Sequence, residues 1–131
     1  MAKKKWLKIL NWSEKNINDL RIVAYSYIKE GKYDIALKFL NALKILSPNN
    51  VYEKQTIGAI YLQQGKSLDA LTNFDEALKV DPYHYPTLLN RAKALFSLGY
   101  KIQAKAQTYS LVHCKDKNIA NDAKALLTAF E

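Results

Sequence analysis

The chain has 131 residues, 49% of them hydrophobic, with three prolines, four glycines, one cysteine and a formal charge of +8. This composition excludes a disordered or collagen-like chain and fits one compact or short solenoidal domain. Cys114 has no second cysteine for an internal disulfide and no cysteine–histidine set for zinc, so a reducing, cytoplasmic setting is expected and no metal site.

Residues 1–16, MAKKKWLKILNWSEKN, contain five lysines and a short apolar run broken by Lys8. A membrane span needs roughly 18 to 20 apolar residues, so neither a span nor a signal peptide is expected here. Trp6, Ile9 and Leu10 fall on one side of a short basic, amphipathic N-terminal helix over 1–16, a side that Ile17 would extend. Three roles for it stay open: capping the first repeat, pairing with a second copy or another chain, and lying on a membrane surface. The charge is basic at both ends and acidic between residues 51 and 84. A nucleic-acid reader needs a continuous basic stripe with interleaved aromatics or a reading motif, so no nucleic-acid partner is expected.

From residue 17 the chain repeats every 34 residues. The register aligns Ala24, Gly58 and Ala92, then Gly31, Gly65 and Gly99, then Ala36, Ala70 and Ala104, and pairs Pro48 with Pro82. Segments 17–30, 51–64 and 85–98 carry apolar residues at helical spacing and end at a glycine suited to the left-handed conformation after a helix. These are the A helices. Segments 33–46, 67–80 and 101–114 repeat the pattern, and the first two stop before Ser47-Pro48 and Asp81-Pro82. These are the B helices. Antiparallel helices joined by so few residues must pack on each other, and Ala24 against Ala36, Gly58 against Ala70 and Ala92 against Ala104 allow close approach. Residues 119–131 lack the repeat signature but place Ile119, Ala123, Leu126, Leu127 and Phe130 on one face, which suits a helix that caps an otherwise exposed apolar end.

This pattern resembles the tetratricopeptide repeat, in three units over 17–50, 51–84 and 85–118, the third departing most with Thr108 and Asp116. The fold expected is therefore all-α: a solenoid of three helix–turn–helix repeats with an N-terminal helix and a C-terminal capping helix. No catalytic arrangement is read. His84 and His113 stand far apart in the repeat, and Cys114 beside His113 points about 100° away on a helix, so no enzyme and no cofactor are expected.

Function then falls to a surface. In stacked repeats the A-helix side chains turned away from their B partners line a concave groove. Projection gives Asn18, Arg21, Ile22, Tyr25, Ile28 and Lys29 in the first unit. The second gives Tyr52, Gln55, Thr56, Ala59, Leu62 and Gln63, and the third Pro86, Leu89, Asn90, Lys93, Phe96 and Ser97. The centre is apolar and aromatic, suited to an apolar helix or extended segment. Repeats of this family that hold the acidic tails of heat-shock chaperones use a clamp of Lys, Asn and Arg. The matching places here carry Arg21, Tyr25, Thr56, Pro86 and Asn90, so that clamp is absent. The whole, over residues 20–130, resembles the small chaperones of bacterial type III secretion, either of translocators or, as co-chaperone, of the needle subunit. The resemblance implies a partner with an apolar amphipathic segment, and in the needle branch a second small helical chaperone. The alternative is a generic scaffold of the repeat family that joins two proteins.

Overall fold

The computed structural model describes residues 12–131. The lysine-rich start with Trp6, Ile9 and Leu10 lies outside the described residues. Among the described residues are seven α-helices and no strand: α1 (Glu14–Lys29), α2 (Tyr33–Leu46), α3 (Val51–Gln63), α4 (Ser67–Val80), α5 (Tyr85–Ser97), α6 (Lys101–Tyr109) and α7 (Lys117–Ala129). The first A helix begins three residues earlier than the repeat register suggests. Asn16 explains the start, its carboxamide oxygen accepting from the Ser13 backbone N–H at 2.9 Å and the Ser13 hydroxyl at 3.0 Å.

The A-to-B turns are nearly identical. Gly65 takes φ 78°, and Gly31 and Gly99 do the same at 75° and 86°. That conformation lets the Lys66 N–H reach back to the Tyr61 carbonyl at 2.8 Å and closes the helix end, where a residue with a Cβ would be strained. The B helices α2 and α4 stop where the Ser-Pro and Asp-Pro pairs place them. The third stops early, at Tyr109 rather than near 114. Two hydroxyls there compete for backbone carbonyls: buried Thr108 donates to the Ala104 carbonyl and Ser110 to that of Gln107, both at 2.6 Å. The chain then tightens into turns such as the Leu111 N–H to Thr108 carbonyl bond at 3.0 Å.

Each A helix packs on its B helix, and α5 also packs on α3, α4 and α7. Helix α7 thus takes the place of a fourth A helix, set by Asp116, whose carboxylate accepts from the N–H groups of Asn118 at 3.0 Å and Ile119 at 3.2 Å. Its inner face, with Ile119, Ala120 and Ala123, is buried, and Asn121, Asp122, Lys124 and Thr128 are exposed. A polar outer face ends the stack in water.

Ala24, Ala36, Ala70, Ala92 and Ala104 are all completely buried. The contact at Gly58 differs in detail from the Gly58–Ala70 pairing read from the register. A Cβ at this position would lie 2.5 Å from Cε1 and 2.7 Å from Cδ1 of Phe74, so the nearest obstacle is the buried ring. Gly58→Ala is therefore expected to lower stability by about 1–3 kcal/mol through overpacking, despite alanine's better helix propensity. Adding Phe74→Leu should restore part of the loss. Thermal melts check this, and an unchanged or raised midpoint for Gly58→Ala would contradict the close approach.

Candidate functional site: the exposed face of the A helices

The register separates two kinds of A-helix side chain. Arg21, Gln55 and Leu89 stand 34 residues apart, as do Asp19, Glu53 and Thr87. Between the first two A helices the first set meets the second. At the first junction Arg21 Nε donates to Glu53 Oε1 at 2.6 Å, while its Nη1 reaches Asn18 at 2.7 Å. Glu53 is completely buried, and its Oε2 has no hydrogen-bond partner among the described residues. The backbones of α1 and α3 approach less closely than those of α3 and α5 or α5 and α7, and this long ion pair fills the difference. At the last junction Leu89 is packed with Ile119 and Ala123 of α7.

Two residues expected in the groove are therefore core. Leu89 is only 3% exposed because α7 covers it, and Phe96 is 5% exposed because the Phe130 ring stacks on it, centroids 4.1 Å apart. The remaining expected residues stay at or near the surface. Tyr52, Gln63 and Lys93 are exposed; Arg21, Tyr25, Ile28, Gln55, Ala59, Leu62 and Asn90 are half-buried. Ile28 leans on the first core cluster and Leu62 on the one around Phe74. The Tyr25 hydroxyl lies 3.5 Å from that of Thr56, linking the first two A helices across this face.

Polar contacts fix the rim. The Tyr52 ring stands edge-on to His84, centroids 5.5 Å apart, and His84 Nδ1 is 2.7 Å from the buried Thr87 hydroxyl. Burial pushes the His84 imidazole below its usual range, with Asp81 partly opposing the shift. On the B side Lys54 is buried, donates to the Pro48 carbonyl, and has its pKa lowered by burial and by Lys44, with Glu76 and Glu53 opposing. Lys44 pairs with Glu76 at 2.6 Å and Arg91 with Asp75 at 2.7 Å, each tying one repeat to the next. Cys114 Sγ donates to the Asp116 carbonyl at 3.3 Å, and His113 is exposed beside it. No helix among the described residues is long and apolar enough to cross a membrane.

Sequence reasoning missed the Glu53 contact. Its signal, a carboxylate two residues into an A helix and 32 residues from an arginine, is visible only once the A helices are laid side by side.

No protein-family model matches the chain. Protein NPGR2 of Arabidopsis thaliana is 27% identical over 77 residues, which is 59% of this chain and 10% of the relative. The chain thus spans about a tenth of that protein's length. Among solved structures, the translocator chaperone SycD of Yersinia enterocolitica type III secretion superposes with a TM-score of 0.84 at 20% identity, covering 94% of this chain and 96% of that one. PcrH bound to the chaperone-binding region of PopD gives 0.82 at 23% identity, covering 90% and 92%. The first tetratricopeptide-repeat domain of Spaghetti (RPAP3), bound to an HSP90 peptide, gives 0.76 at 18% identity, covering 90% and 95%. The chain has the all-helical, tetratricopeptide-like fold that these structures share.

The polar contacts can be tested in two ways. Arg21→Met leaves the Glu53 carboxylate buried and unpaired, and is expected to cost about 2–3 kcal/mol in urea unfolding, less than a fully buried pair because Arg21 is 22% exposed. Adding Glu53→Leu should recover most of that. A single variant as stable as the wild type would show that Glu53 is satisfied in another way. For His84, a depressed folded pKa means that the unfolded chain protonates first as pH falls. Its contribution is intact above the unfolded value near 6.5 and is lost below it, until the folded group also protonates. Between about pH 7.5 and 5.5 the melting temperature of the wild type should fall more than that of His84→Asn. Parallel curves would contradict the burial.

Proposed function

We propose that this chain is a non-catalytic binding protein, a cytosolic secretion chaperone whose groove on α1, α3 and α5 holds an apolar helical or extended segment of a type III secretion subunit. The observation that carries this reading is the run of Tyr25, Ile28, Tyr52, Ala59 and Leu62, all exposed or half-buried on consecutive A helices. Such side chains on one continuous face offer pockets for alternate residues of a bound segment, with Gln55, Gln63 and Asn90 as a polar rim. The fold adds support, because solved structures of PcrH and SycD hold translocator regions or peptides of PopD, PopB and YopD. Of the two secretion branches, the translocator chaperones are the better supported on that ground. Concealment is the whole mechanism: an apolar strip that would otherwise aggregate or enter a membrane is removed from water. Neither an energy source nor a cofactor is needed.

A labelled amphipathic peptide with an uncharged apolar face tests this directly. Tyr52→Ala combined with Leu62→Ala should abolish its binding in fluorescence anisotropy while the circular dichroism spectrum stays helical. The wild-type affinity should change little between low and moderate salt, since apolar burial is not screened. Undiminished binding by the double variant would remove this face from the account. Steep loss with salt would instead favour the scaffold reading, with partners held by polar contacts.

A further inference from the structure

Resting on that groove reading, we infer that the segment it takes is acidic on its polar side at one end, with carboxylates that meet Lys93 of the third repeat. The charge left along α3 and α5 after internal pairing is cationic. Along α3 and α5 the only carboxylate is Glu53, completely buried and ion-paired with Arg21. Asp19 on α1 has the register of Glu53, which faces the preceding A helix, so it is turned toward the N-terminal side of the stack. Glu30, just past α1, pairs with Lys32 at 3.3 Å. The cations are treated differently. Lys29 and Lys93 are exposed and make no ion pair among the described residues.

The third repeat sharpens the contrast. Residues 85–115 contain Arg91, Lys93, Lys101, Lys105 and Lys115 and no Asp or Glu at all. Arg91 is neutralised by Asp75 and also holds Gln107 at 2.6 Å, so it is committed to the stack. Lys93 is exposed one helical turn beyond the half-buried Asn90, whereas the hydroxyl of Ser97, a turn further on, is held at 2.6 Å by the buried Ser67 of α4. The apolar residues Tyr25, Ile28, Ala59 and Leu62 belong to the first two repeats, and the third offers Asn90 and Lys93. A bound segment therefore meets an apolar floor at one end and a cationic, hydrogen-bonding floor at the other. Opposite charge at that end favours binding and fixes direction, and a lysine there is repelled. The single carboxylate of α7 near this end, the exposed Asp122, does not pair with Lys93.

Three labelled peptides of one apolar pattern test this: one with glutamates at the end intended for the third repeat, one with lysines there, and one with glutamines. At low salt the glutamate peptide should bind wild type roughly three- to tenfold more tightly than the glutamine peptide, and the lysine peptide more weakly than either. The advantage should shrink at about 0.3 M salt. Lys93→Glu, an exposed substitution that leaves the core untouched, should reverse the order, while Lys93→Gln should erase it. Equal affinities for the three peptides would overturn the charge inference and leave the apolar groove standing. Failure of all three to bind would overturn both. Displacement of the glutamate peptide by a single-stranded oligonucleotide, with a steep salt slope, would show that the cations serve nucleic acid instead.

Discussion

Close approach within each helix pair is the constraint on which the rest depends. An A helix lies down on its B helix only where side chains at the contact are very small; Ala24, Ala36, Ala70, Ala92 and Ala104 are completely buried, and Gly58 in α3 is buried too. Gly58 is the extreme case, because the Phe74 ring already occupies the volume a methyl group would take. With the pairs fixed in this way, every A helix has one face spent on its partner, a second on its neighbours, and a third left over. That third face is the one proposed to bind.

Between neighbouring A helices the stack uses a long ion pair at the first junction and packed apolar side chains at the last. Arg21 reaches across to Glu53 where α1 and α3 stand farther apart, and Lys44 of α2 pairs with Glu76 of α4. Leu89 with Ile119, and Phe96 with Phe130, close the last junction. The exposed face inherits the difference. It is apolar and aromatic where inter-repeat contacts are ionic, and it turns polar and cationic where the apolar residues have been drawn into the core. Internal packing and surface chemistry are thus set by the same residues.

The repeat itself was legible from the sequence because its punctuation is local. Glycine after each A helix and proline after the first two B helices act within a few residues, and those helix boundaries agree to within a residue or so. What was not legible depended on distant partners. Leu89 and Phe96 look like groove residues by register, and only the course of α7 and the return of Phe130 bury them. Glu53 reads as one more surface carboxylate until Arg21, 32 residues earlier, is placed beside it. The early end of α6 came from two hydroxyls, Thr108 and Ser110, whose effect on the helix depends on whether they turn to backbone or to solvent.

The central claim is that the open face of α1, α3 and α5 takes an apolar segment. Hydrogen–deuterium exchange of the protein with and without a bound amphipathic apolar peptide tests it most directly. The account predicts added protection in the helices that carry Tyr25, Ile28, Tyr52, Ala59 and Leu62, with little change in α2, α4 and α6 beyond any global stabilisation. Protection centred on the B helices, with the A helices unchanged, would contradict it.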